Sequence, residues 1–141
     1  MLVRLMYASR AADSVTQDEL AQIMKRAKAD NPAAGITGVL CFSAGVFLQV
    51  LEGGRASVNA LYNRIAQDRR HADVTLLSFE EIGERSFACW SMGQVNLSRI
   101  NPGLLLKYSE TAVLDPFAVS GAVSMALFEE LMATASIVGQ A

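Results

Sequence analysis

Only two cysteines, one histidine and three prolines occur in 141 residues, and 18% of the chain is charged. Two cysteines do not make a disulfide framework; Cys41 falls in an apolar run and reads as a reduced core thiol. No metal centre is expected. The net charge is −2, with acidic and basic residues interspersed, so no basic stripe is present to bind nucleic acid directly. The start, MLVRLMYASR, lacks the extended apolar core of a signal peptide, and a cytoplasmic protein is expected. One long apolar segment, PFAVSGAVSMALFEELMATASIV, raises the question of a membrane. Glu129 and Glu130 fall near its centre, where charge is costly in a bilayer, so it reads as a packed C-terminal helix. There is no internal repeat, linker or low-complexity tract. What remains is 52% hydrophobic, enough for a substantial core in one domain.

The apolar residues fall into alternating patterns. LVRLMY (2–7) is a strand candidate. TQDELAQIMKRAKADN follows, with Leu20, Ile23, Met24 and Ala27 at helical spacing and Thr16 and Glu19 as a capping box. This helix is predicted to end at Asp30-Asn31, before Pro32. GITGVLCFS (35–43) and VFLQVLE (46–52) are strands joined by Ser43, Ala44 and Gly45 in a hairpin. GRASVNALYNRIAQD is a second helix, with Val58, Leu61, Tyr62 and Ile65 on one face. ADVTLLSFEEI contains a fourth strand and CWSMGQVNL a fifth. The order β-α-β-β-α-β-β predicts an α+β, ferredoxin-like sheet, and right-handed crossovers place both helices on one face. The C-terminal part is expected to cover the other face. It holds a short helix near GLLLKYS and a longer one opened by Asp115 as N-cap and Pro116.

Strand alternation places side chains. Val3, Leu5 and Tyr7 share a face, as do Phe47, Gln49 and Leu51. If both faces look toward the helices, Tyr7 and Gln49 enter one layer. The first helix brings Asp30 and Asn31 beside the sheet; the second ends in RIAQDRRH with Arg64, Asp68, Arg70 and His71. A cleft between the helices would then be apolar with a few polar groups, the usual make-up of a small-molecule site. Most of these residues have a plain alternative. Tyr7 alone reads as a core tyrosine, Asn31 as a helix C-cap, DRRH as a solvated helix end and His71 as a surface histidine. Trp90 and Met92 alone read as core residues of an edge strand. Gln49 is the exception, because a buried mid-strand amide is uncommon and costs about 1–3 kcal/mol if left unpaired.

In order and at these intervals, RLMYASRA, NPAAGITGVLCFSAGVFLQVLEG, VNALYNRIAQDRRH and RSFACWSM resemble the BLUF domain, a flavin-binding blue-light sensor. The resemblance runs from about Leu2 to Leu97 and implies a ferredoxin-like domain over 1–97 holding FAD between the two helices, with FMN or riboflavin as substitutes. Carried over residue by residue, Tyr7 matches the electron and proton donor, and Gln49 the glutamine bridging that tyrosine to the flavin. Asn31 matches the asparagine at the polar edge of the ring, and Arg64, Asp68 and Arg70 the polar contacts at its pyrimidine side. His71 closes the same run as a further candidate contact. Trp90 and Met92 match the signalling pair that competes for the position beside the glutamine. Asp30 departs from the asparagine or histidine of many members; when ionised it only accepts, so it suits a flavin N–H and not a carbonyl.

The resemblance implies a photocycle in which Tyr7 gives up an electron and, through Gln49, a proton. Gln49 is left with an altered hydrogen bond to the flavin, and no substrate is turned over, so no enzyme is expected. Residues 98–141 are too few for a cyclase or phosphodiesterase domain. A short stand-alone receptor is therefore expected, acting on a protein partner or through its own assembly, with a homo-oligomer anticipated. Two other readings stand beside it. One is an acylphosphatase-type hydrolase in which Arg10 and Asn31 supply the cation and the amide. The other is a ligand-free assembly module centred on Phe117, Val123, Leu127, Phe128 and Leu131.

Overall fold

The computed structural model describes residues 1–12, 15–95, 100–134 and 137–138. The order is β1 (Leu2–Ala11), α1 (Gln17–Ala34), β2 (Thr37–Ser43), β3 (Val46–Gly54), α2 (Arg55–Gln67), β4 (His71–Ile82), β5 (Gly93–Val95), α3 (Pro102–Leu106), α4 (Gly121–Ala133) and β6 (Ile137–Val138). The strands form one sheet in the order β4-β1-β3-β2-β5-β6. The β2–β5 pair is parallel and the other pairs are antiparallel. The ferredoxin-like core is as expected, with β1 and β3 at its centre, and β6 adds an edge that the sequence pattern does not announce.

Two cores separate along the strand alternation. Val3, Leu5, Tyr7, Leu40, Phe47 and Leu51 face α1 and α2, packing on Leu20, Met24 and Val58. Met6, Ala8, Cys41, Leu48 and Val50 face the other way, onto Leu105, Leu127, Phe128 and Leu131 of α3 and α4. The C-terminal helices therefore cover the sheet as expected. Within this second core burial pushes the Cys41 thiol up to about 12, so it stays protonated and inert. At the close approach of α4 to β4, a Cβ on Gly121 would lie 2.7 Å from the Leu77 carbonyl oxygen, so only glycine fits there. Among the described residues no helix is long and apolar enough to cross a membrane.

Local signals explain most element ends. Thr16 caps α1 by accepting from the Glu19 N–H. In the β2–β3 hairpin Ala44 and Gly45 both have positive φ (51° and 75°), the conformation that suits the twist of a two-residue turn. Three expectations fail. Helix α1 does not end at Asp30-Asn31: it runs through Pro32 to Ala34 and closes on Gly35 in left-handed conformation, whose N–H bonds to Asn31 and Pro32 carbonyls. Proline forbids one N–H bond, and the last turn tolerates that loss. Asp115 is not the N-cap of α4. It accepts from the Phe117 N–H in a separate turn, while Ser120 caps the helix on Val123. The fifth strand begins only at Gly93 and pairs with β2, so Trp90 and Met92 are not residues of an edge strand but lie in the connection before it. The expected strand tail at Asn96 and Leu97, the boundary between 97 and 98, and the helix extension at Ala135 and Ser136 lie outside the described residues.

Candidate functional site

Tyr7 and Gln49 are direct partners across β1 and β3. Both point to the helix side, and the Tyr7 hydroxyl donates to Gln49 Oε1. Burial pushes the phenol pKa far above its ordinary value of 10.0, with the Tyr62 and Asp68 charges adding to the shift, so Tyr7 stays protonated and acts as a donor. Gln49 Nε2 in turn donates to Met92 Sδ at 3.2 Å. The amide has two N–H groups and two lone pairs; these bonds use one of each. Since Gln49 also lines a cleft, the remaining donor and acceptor are open to a ligand.

That cleft has a volume of about 720 Å³ and lies between α1 and α2 on the floor of β1, β2 and β3. Its walls are apolar, from Ile23, Ala27, Leu40, Phe47, Leu61 and Ile65, and its rim carries charge. Asn31, 4% exposed, ties the end of α1 to the β4–β5 connection by donating from Nδ2 to the Ser91 carbonyl at 2.8 Å. Arg64 reaches the rim from the last turn of α2. Asp68 accepts from the Arg70 N–H and guanidinium and closes the α2–β4 turn. These bonds hold the Asp68 carboxyl below its ordinary value and raise Arg70. Asp30 lies at the exposed mouth, 3.4 Å from Arg26 one turn earlier.

His71 is not a surface histidine at a helix end. It opens β4, lies over Phe47 with ring centroids 4.5 Å apart, and shares a 2.7 Å hydrogen bond between Nδ1 and Ser9 Oγ. Burial lowers its pKa, opposed by Asp68 and assisted by Arg70. The structure thus gathers Tyr7, Asp30, Asn31, Gln49, Arg64, Asp68, Arg70, His71 and Met92 around one cleft. Trp90 is not among them. It packs on the α3–α4 side of the sheet, and its Nε1 is buried with no hydrogen-bond partner. Arg10 also faces away from the cleft, 4.3 Å above the Phe117 ring and 3.5 Å from Asp73. The pairing of Arg10 with Asn31 required by the hydrolase reading is therefore absent. Sequence reasoning missed three buried polar residues, Ser9, Glu52 and Ser124. Glu52 carried the same signal as Gln49, a polar residue in an otherwise apolar strand.

The donor set fits a flavin. The cleft's apolar walls would take a flat ring, the amides of Asn31 and Gln49 would serve the ring's polar edge, and a charged mouth with Arg26 and Arg64 would suit a phosphate-bearing tail. Similarity to known proteins points the same way. The photoactivated adenylate cyclase subunit alpha of Euglena gracilis is 41% identical over 86 residues, which are 61% of this chain and 8% of the relative. The subunit beta of Euglena longa is 37% identical over 92 residues, 64% of this chain and 11% of the relative. The chain thus spans about a tenth of the length of these curated relatives. Among solved structures, BlsA in its photo-activated state superposes with a TM-score of 0.86 at 30% identity, covering 100% of this chain and 99% of that one. BlrB, a BLUF protein in its dark state, gives 0.80 at 28% identity, covering 95% and 96%. The family described as sensors of blue-light using FAD matches residues 2–93, and the chain belongs to it: it is a BLUF protein.

Proposed function

We propose that this chain is a blue-light receptor whose working part is the hydrogen-bonded series Tyr7–Gln49–Met92 beside a flavin held in the cleft. Asn31, Arg64, Asp68, Arg70 and His71 hold the flavin's polar edge and tail, and Asp30 adds an acceptor at the mouth. Bound there, the flavin supplies a blue-absorbing ring that becomes a one-electron oxidant when excited. Tyr7 is the donor: its phenol is oxidisable, and its O–H already donates to an acceptor, Gln49 Oε1. A tyrosine that loses an electron becomes strongly acidic, so the proton moves along that bond and returns by the same route.

Gln49 converts this event into a shape change. Its two amide ends have opposite hydrogen-bonding roles, and Met92 Sδ can only accept. If the ends exchange places, a carbonyl oxygen faces the sulfur and the 3.2 Å contact with Met92 is lost. The connection carrying Met92 also carries Trp90, whose unpartnered indole N–H lies against the α3–α4 core. A displaced Met92 therefore reaches residues 98–141, which we assign as the extension that signals to a protein partner or alters assembly into a homo-oligomer. This chemistry consumes no substrate, so the chain is read as a receptor and not an enzyme, working in the reducing cytoplasm.

The observation that carries the reading is the buried Tyr7–Gln49 pair opening onto the cleft. The test is a visible spectrum of the purified, FAD-reconstituted protein before and after blue light. A reversible red shift is expected; a protein that takes up no flavin, or takes it up and shows no shift, overturns the reading.

A further inference from the structure

Glu52 is a fully buried carboxylate on β3, three positions from Gln49 and on the opposite face of the sheet. Burying a charge is costly unless it is paired and hydrogen-bonded, and here both oxygens have donors and a guanidinium pairs the charge. Glu52 Oε2 accepts from Arg4 Nε at 2.9 Å and from the Ser86 N–H at 3.0 Å, and Oε1 accepts from the Phe87 N–H at 2.7 Å. Arg4, its direct partner across β1 and β3, also donates to Ser86 Oγ at 2.7 Å and to Glu80 of β4 at 2.8 Å.

Ser86 and Phe87 lie in the 83–92 connection between β4 and β5, whose last residue is Met92. The segment passes around the start of β2: Arg85 donates to the Gly35 carbonyl at 2.7 Å and to Thr37 Oγ1 at 3.1 Å, and the Trp90 carbonyl accepts from the Gly38 N–H at 2.9 Å. It is therefore a strap tied to both faces of one strand. Glu52 holds it at Ser86 and Phe87 through charge-assisted bonds to backbone N–H groups; Gln49 holds its last residue through a thioether, a weak acceptor. Together with the Gly38 bond to the Trp90 carbonyl and the Asn31 bond to the Ser91 carbonyl, the charge-assisted tie at Glu52 limits how far Met92 can withdraw when the weak one breaks.

We propose that Glu52, held by Arg4, is a positioning residue for the switch at Gln49: it fixes the reach of the 83–92 strap and keeps Met92 close enough to return. The proposal rests on the photoreceptor reading above. A strap cut from Glu52 samples more positions, so Met92 finds Gln49 less often and the illuminated state lasts longer.

The test is dark recovery of the red-shifted absorbance in the FAD-loaded protein. Glu52→Gln keeps the shape of the side chain but offers one acceptor oxygen where two are used. Recovery is expected to slow about tenfold, the factor that loss of a charge-assisted hydrogen bond implies, with the size of the red shift unchanged. Arg4→Lys, which keeps the charge and loses the fork, is expected to slow it about threefold and serves if Glu52→Gln does not fold. Glu80→Gln removes only the exposed partner of Arg4 and is expected to recover at the unsubstituted rate. Recovery within twofold of the unsubstituted protein in folded Glu52→Gln, faster recovery, or equal slowing in Glu80→Gln overturns the proposal. If the unsubstituted protein shows no red shift, the photoreceptor reading fails on its own. The strap is then judged by amide hydrogen exchange: Glu52→Gln must speed exchange from Phe87 through Met92, and a change confined to Ser86 and Phe87 overturns it.

Discussion

Tyr7 and Gln49 face each other across the two central strands, and the phenol donates to the amide oxygen inside the core. This bond meets the acceptor need of a buried glutamine and leaves its other groups to Met92 and the cleft. Tyr7→Phe should therefore fold and bind FAD, yet lose the light-induced red shift. Gln49→Leu should do the same. Absorbance spectra before and after blue light decide it; normal cycling in either variant rules out the proposed proton path.

Asn31 joins the cleft wall to the strap through the Ser91 carbonyl. Asn31→Ala removes that donor and a polar group at the ligand's edge, together worth about one to two hydrogen bonds. FAD affinity should weaken about tenfold. A fluorescence titration of the flavin measures it, and unchanged affinity would place the ring edge elsewhere.

Phe128 is fully buried on α4 and meets Phe87 edge-on, with centroids 6.1 Å apart. Phe128→Ala should cost about 3–5 kcal/mol of folding stability. Because Phe128 lies in the core on the other side of the sheet, the folded fraction should keep its FAD spectrum. Thermal melting monitored by circular dichroism, together with the visible spectrum, separates the two effects.

Burial holds the His71 pKa below its ordinary 6.5, so the unfolded chain takes up this proton before the folded one does. Stability is then independent of His71 above 6.5 and falls as pH drops from 6.5 toward the lower folded value. Asp68 acts further down the scale: Arg70 depresses its pKa from 3.8, so its contribution is complete above 3.8 and is lost as pH falls through the folded value. Melting temperatures measured from neutral pH downward should begin to fall near 6.5, and His71→Gln should flatten that first decline. An equal slope in the variant would assign the decline to other groups.

Much of this was legible in the chain because strand alternation and helix spacing are local. Two-residue periodicity alone puts Tyr7 on one face with Val3 and Leu5, and Gln49 on one face with Phe47 and Leu51, and the Thr16 cap and the Ala44-Gly45 turn are written in residue type. The end of α1 is not legible there, because a proline in the last turn removes only one bond and does not stop the helix. Trp90 and Met92 look like strand residues because both are large and apolar. Their pairing is decided by where the Glu52, Asn31 and Gly38 hydrogen bonds hold the strap, and those partners lie 34 to 60 positions away in sequence.

The sequence by itself determined which side chains share a face and that a buried amide had to find partners. Only the tertiary structure decided that Met92 and not Trp90 meets Gln49, that Arg10 turns away from the cleft, and that Glu52 is buried with both oxygens hydrogen-bonded. The reason is physical: facing is set by the backbone's own period, whereas partners are set by packing between segments whose separation no local pattern records.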